Sequence, residues 1–257
     1  MLFVLSPAKT LDFESPLPAI QASTARFLPQ AQTLIHRLQE LDVAEIARLM
    51  DLSPALGELN HERYKHWATR HDARSARPCV LAFAGDVYEG LSAQTLAPDS
   101  LSWAQQHLRI LSGLYGVLRP LDRIRPYRLE MGTRLNNERG RDLYAFWGDQ
   151  LAGALASELK TQAEPVLVNL ASIEYFKAVP VKALAHRIIQ PVFQEERGGE
   201  WKIISFMAKR ARGLMARYAI EARIDRPDEL RGFDREGYRF DPKASCGDTW
   251  VFRRATQ

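Results

Sequence analysis

Short apolar runs separated by long helical stretches constrain this chain more than any other feature. Leu2–Leu5 is wholly apolar and stops at Ser6-Pro7, and Val166–Leu170 is apolar but for Asn169. Runs this short and this apolar read as strands buried on both faces, the first running into a turn and a helix start. Val80–Phe83 reads as a third strand, followed by a turn at Gly85-Asp86-Val87-Tyr88.

Between the runs the pattern is helical. In Ser23–Arg70, Leu34, Leu38, Leu41, Ile46 and Leu49 recur at helical spacing, and Ser53-Pro54 opens a further helix with proline at its favoured first position. Asp99–His107 reads as a helix, and Leu108–Leu111 either continues it or forms a strand. One apolar stripe through Leu143, Phe146, Trp147, Leu151, Leu155 and Leu159 predicts a single helix over Arg141–Lys160. Ile188–Glu195 and Trp201–Phe206, joined by Arg197-Gly198-Gly199, predict an antiparallel hairpin. Met207–Ile224 predicts a basic helix, and Tyr238–Phe240 and Trp250–Phe252 two short strands. No repeat or Pro/Gly/Ser linker divides the 257 residues. The expectation is one compact α+β domain over 1–257, a mixed sheet flanked by helices.

Charge is focused within this frame. The formal net charge is only +4, yet Arg109–Arg141 holds eight arginines against three acids, and Arg197–Arg223 seven bases against two. The rest of the chain is therefore acidic. A focused basic patch is the footprint expected for a polyanion partner, and arginine suits bidentate contact with phosphate. The same windows could instead be solvated helix faces or exposed ion pairs.

Inside the first window, Ser112-Gly113-Leu114-Tyr115-Gly116 places two glycines in a turn, with Arg109 before it and Arg119, Arg123 and Arg125 after. Glycines let backbone amides approach an anion, and a following helix start would add partial positive charge. A helix-hairpin-helix element grips a nucleic-acid backbone in this way, although its glycines usually stand two apart and here stand three. A purely structural tight turn is the alternative. In the second window, Arg210, Gly213 and Arg217 share a broad helix face with Lys209 and Arg212 beside it. Gly213 in mid-helix suggests close approach of a backbone or a ligand.

Other chemistries have less support. No apolar run reaches the roughly 18 residues of a membrane helix. The start MLFVLSPAKT lacks a basic signal-peptide opening, and Cys79 and Cys246 stand alone, so a cytoplasmic, reducing setting is expected. His61, His66 and His71 recur every five residues, which spreads them around a helix, so no metal site and no cofactor are expected.

The motifs together are specific. Leu5-Ser6-Pro7-Ala8-Lys9-Thr10-Leu11-Asp12, Phe83-Ala84-Gly85-Asp86-Val87-Tyr88-Glu89-Gly90-Leu91, Leu111–Asp122, Pro126-Tyr127-Arg128-Leu129-Glu130-Met131-Gly132, Asn169–Phe176 and Ala208–Met215 resemble, in order and almost end to end, the YaaA family of bacterial peroxide-stress proteins. The resemblance implies an α/β domain with a positively charged cleft and a helix-hairpin-helix-like element in Ser112–Arg119. It also implies DNA binding and protection against hydrogen peroxide by keeping free intracellular iron low; the two basic windows, with no recognition-helix motif, point to contact with the phosphate backbone without sequence preference.

A rival expectation is an enzyme acting on a nucleobase or nucleoside-like molecule. Lys9, Asp86, Tyr88, Arg128, Glu130, Asn169, Ser172, Tyr175, Lys209 and Arg212 all lie at strand ends or turns within these motifs, where α/β scaffolds place ligand-handling groups. Each also has a plain structural role open to it: Asp86 capping a turn, Asn169 satisfying buried backbone, Glu130 neutralising Arg128. A third expectation is a scaffold that recruits another protein.

Overall fold

The computed structural model describes residues 1–255. Strand β1 (Leu2–Leu5) leads to β2 (Thr10–Leu11) and then to three helices, α1 (Leu28–Gln39), α2 (Val43–Met50) and α3 (Pro54–Lys65). Their starts are written in the sequence. Asp42 and Glu45 form a reciprocal capping box on α2, and Ser53 caps α3 with Pro54 in its first turn. Next come β3 (Arg77–Pro78), α4 (Cys79–Ala82), β4 (Phe83–Ala84), α5 (Asp86–Leu91) and α6 (Pro98–His107).

The expected strand Val80–Phe83 is instead the helical turn α4 passing into β4. The Phe83 amide bonds back to the Cys79 carbonyl, and the Cys79 and Val80 amides are taken by the Asp122 and Pro120 carbonyls. A run of four apolar residues carries no period by which to tell the two apart.

The chain continues through β5 (Leu108–Ser112), β6 (Gly116–Leu118) and β7 (Arg123–Ile124). The Arg141–Lys160 stripe is two helices, α7 (Leu143–Trp147) and α8 (Gln150–Leu159), broken at Gly148, whose φ is +47°. After them come β8 (Val166–Leu170), α9 (Ile173–Phe176), α10 (Val181–Leu184), β9 (Arg187–Arg197) and β10 (Glu200–Lys202). The β9–β10 hairpin forms as expected, but its second arm stops at Lys202. Helix α11 begins at Ser205 and runs to Glu221, and β11 (Arg239–Phe240) and β12 (Thr249–Arg254) close the fold.

The main sheet has the order β11-β12-β9-β8-β1-β5-β6, with β10 on β9. Strands β5, β1, β8, β9 and β12 are parallel, while β6, β10 and β11 are antiparallel additions, so the sheet is mixed. All residues of β1, β5 and β8 are buried, as both-face burial requires. From β1 the chain first adds β5 on one side and later β8 on the other. The strand order therefore reverses at β1, the place where parallel sheets leave a crevice outside the strands' carboxyl ends.

Two features fix the walls of that crevice. Thr10 of β2 pairs with Ala84 of β4, tying the segment after β1 to the turn before α5. Helix α5 packs on α11 with glycine against backbone. A Cβ on Gly213 would stand 1.8 Å from the Val87 carbonyl oxygen, and one on Gly90 2.2 Å from that of Arg210. Of the two explanations for a mid-helix Gly213, close backbone approach is the one realised.

Candidate functional site

The Gly-x-x-Gly turn is not part of a helix-hairpin-helix. Ser112 and Gly116 are paired residues of an antiparallel β-hairpin, β5–β6, and every residue from Leu108 to Leu118 is buried. Apolar residues on both sides drive the turn inward. The glycines serve packing: a Cβ on Gly113 would stand 2.3 Å from the Leu129 carbonyl oxygen, and one on Gly116 2.9 Å from the Trp147 ring. The Ser112 hydroxyl meets the Tyr127 hydroxyl at 2.6 Å, and the Tyr115 hydroxyl accepts from Trp67 Nε1 at 2.9 Å. Leu114 is fully enclosed.

Three of the four arginines around the hairpin are likewise committed. Arg109, 5% exposed, donates to the Glu158 carboxylate and to the Gln105 and Leu108 carbonyls. Arg119 pairs with Asp122 at 2.9 Å, itself 1% exposed. Arg125 donates from its two terminal nitrogens to the His66 and Arg70 carbonyls, with its Nε buried and unpartnered, and Arg123, half-buried in β7, enters the β3–β7 ladder through its backbone alone. In the second window Arg210 pairs with Glu236 at 2.6 Å, and Arg217 with Glu221 at 2.8 Å and with the Leu91 and Ser92 carbonyls. Helix α11 therefore directs its cations to different places. Only Lys209 and Arg212 turn into the crevice.

That crevice is a cavity of about 420 Å³ beyond the carboxyl ends of β1 and β8. It gathers Lys9, Asp86, Tyr88, Glu130, Ser172, Tyr175, Lys209 and Arg212, eight of the ten residues singled out for a ligand pocket. Of the other two, Arg128 stands behind Glu130 and donates to it at 3.0 Å. Asn169 is buried in β8, where it donates to Gln190 Oε1 and accepts from the Ala171 amide, the plain structural role. Ser6, Thr10 and Glu174 also line the cavity. Ser6 was legible as the first residue after a strand. Nothing in the pattern marked Glu174 apart from its neighbours.

The floor is rigid. The Ser172 amide donates to Ser6 Oγ at 2.8 Å, and Ser6 Oγ donates to Ser172 Oγ at 3.3 Å. The Tyr88 hydroxyl donates to the Ser6 carbonyl at 2.9 Å. Burial pushes the Tyr88 and Tyr175 phenols well above the ordinary tyrosine range, so both stay protonated. On one wall Glu130 holds Lys9 Nζ at 2.8 Å and Arg128 at 3.0 Å, so its charge is met twice.

The opposite wall differs in kind. Arg212 has a buried Nε with no hydrogen-bond partner, and desolvation lowers its pKa with no acid offsetting it. Guanidinium groups removed from water without a counterion are costly, and an anion entering the cavity would relieve that cost. Lys209, exposed one turn away on α11, has no protein partner, and nor does Asp86 at the start of α5. The cavity thus offers two free cations beside one free carboxylate and several hydroxyls. It can take a phosphate and, next to it, a group that donates hydrogen bonds.

No three His, Cys, Asp or Glu side chains gather to hold a metal ion among the described residues. His71 is enclosed by Trp67 and Tyr115, with its ring bonded to the Arg123 carbonyl, while His61 and His66 flank Glu62. Among the described residues no helix is long and apolar enough to cross a membrane.

The family model described as peroxide stress protein YaaA matches residues 1–244. A UPF0246 protein of Burkholderia mallei is 55% identical over 99% of this chain and 98% of its own length. UPF0246 proteins of Albidiferax ferrireducens and Ralstonia nicotianae are 57% and 58% identical, over 99% of this chain and 98% and 99% of their own lengths.

Proposed function

The chain belongs to the family of the peroxide stress protein YaaA, and from that premise we propose that its cleft binds phosphate esters of the nucleotide kind, as free nucleotides or as units of a DNA strand. The observation that carries this reading is the Arg212 guanidinium, partly buried with no acid or carbonyl partner, on a side chain that lines a cavity also receiving Lys209. Asp86 beside them suits a sugar hydroxyl, the usual partner of a carboxylate in nucleotide sites.

DNA binding under this proposal runs through the cleft's cations and reads phosphate without reading bases. In the peroxide response it would limit oxidative DNA damage. Its effect on free iron would be indirect, through the bound nucleotide or DNA, since the histidines do not converge. Titration with a nucleoside monophosphate, a single-stranded and a duplex oligonucleotide at several salt concentrations tests the reading. Duplex binding should weaken with salt with a log–log slope of roughly −2 to −3, the value for two or three phosphate contacts, and single-strand binding with a shallower one. No binding of any of the three ligands would refute it.

The free carboxylate of Asp86 favours a second reading, in which the same cleft hydrolyses a nucleoside or nucleotide at its glycosidic bond and Asp86 acts as the base on water. Turnover in a screen of nucleosides and nucleotides, abolished in Asp86→Asn with binding retained, would establish it. Absence of turnover with every ligand that binds would exclude it.

A further inference from the structure

A second cavity, of about 240 Å³, lies directly beside the first, and the two share Ala84, Gly85 and Tyr88 in their walls. The partition between them is the β2–β4 ladder, which ends with the pair Thr10–Ala84. Past that end stands Gly85. Its φ of +141° suits glycine alone, and the nearest atom to a Cβ there would be the Ala8 methyl at 3.8 Å. Gly85, shared by the two cavities, thus places no side chain between them.

The two cavities differ in chemistry. The first holds Lys209, Arg212 and Asp86. The second has apolar walls of Leu17, Val80, Leu81 and Phe83, with Asp12, Arg77, Glu89 and Gln94 as polar groups. Asp12 is fixed rather than loose: its Oδ1 accepts from the Glu14 and Ser15 amides, both at 2.9 Å. Hydrogen bonds from Ser15 pull its pKa down to about 2, so it stays an acceptor at neutral pH. The Arg77 guanidinium stands 3.9 Å from the same oxygen, and a slot with apolar walls and a fixed carboxylate at its edge suits a flat ring that carries N–H donors.

Building on the phosphate-ester reading of the first cavity, we infer that the second is a nucleobase subsite and that the ligand is a nucleoside monophosphate lying across Gly85. Its phosphate meets Arg212 and Lys209, its sugar passes Asp86, and its base enters between Leu81 and Phe83 with an N–H edge toward Asp12. One lobe with free cations adjoining another with apolar walls suits a ligand that is anionic at one end and planar at the other.

The test compares guanosine monophosphate with ribose 5-phosphate, which carries the phosphate and sugar but no base, by calorimetric titration of the full-length protein. The wild type should bind the nucleotide at least about tenfold more tightly, because a base that fills an apolar slot adds affinity the sugar phosphate lacks. Leu81→Trp fills the slot and should erase the difference while leaving ribose 5-phosphate binding unchanged. Gln94→Trp, at an exposed position where the fold is not at risk, should do the same. Equal binding of the two ligands by the wild type, or a difference that survives both substitutions, would overturn the base subsite and leave the phosphate reading intact. Binding of neither ligand would overturn the phosphate reading, and the subsite with it.

Discussion

The arginine-rich hairpin and the cleft under α11 contain the same kinds of side chain and use them in opposite ways. Around β5–β6 three guanidinium groups are spent on the fold: Arg109 on Glu158, Arg119 on Asp122, Arg125 on backbone carbonyls. In the cleft, Lys209 and Arg212 have no acid and no carbonyl. Density of charge along a sequence is thus a poor guide to charge available for a ligand. What matters is whether the fold brings an acceptor to each cation.

Substitution can break this contrast at the hairpin first. Gly113→Ala should produce the largest effect, since the new Cβ would stand 2.3 Å from a buried carbonyl oxygen. A loss of about 3 kcal/mol or more, or failure to fold, is expected in chemical denaturation, as for other overpacked cores. A turn built to admit a phosphate would lose binding before stability.

Next in size is Asp122→Ala. Asp122 accepts from the Arg119 guanidinium, from the Arg119 amide at 2.8 Å and from the Ser23 hydroxyl at 2.6 Å, so its removal strands three donors. A destabilisation of about 3 kcal/mol is expected in the same assay, with ligand affinity unchanged. Increased affinity for DNA on freeing Arg119 would show that the hairpin face is a binding surface after all.

A smaller effect separates the regions by pH. Burial, the main cause, lowers the His71 pKa to about 4 within the aromatic cluster around Tyr115. A group whose folded pKa lies below its unfolded value of about 6.5 contributes stability in full above that value and loses it as pH falls toward the folded pKa. The melting temperature should therefore drop between about pH 7 and pH 5, and drop less in His71→Phe. Thermal scans at the two pH values check the sign.

Much of the fold could be read from the sequence because burial and period agree there. Leu2–Leu5 and Val166–Leu170 are central strands, and Ser53-Pro54 starts a helix. Where the period was ambiguous the reading failed. Val80–Phe83 is too short to show one, and the Arg141–Lys160 stripe continues across the break at Gly148 because both helices bury the same face. The cleft residues were legible as polar groups at strand ends, and eight of ten meet in one cavity. The role of Gly113 and Gly116 was not legible. A glycine that admits a neighbouring carbonyl or ring looks the same in sequence as one that admits an anion, and only the packing of Leu129 and Trp147 tells them apart.

The most direct test of the account is a phosphate-ester titration of two single variants, Arg212→Ala and Arg119→Ala, beside the wild type. Loss of binding by about a hundredfold in Arg212→Ala, with wild-type affinity but lower stability in Arg119→Ala, is the predicted result. Wild-type affinity in Arg212→Ala together with weakened binding in a folded Arg119→Ala protein would contradict it.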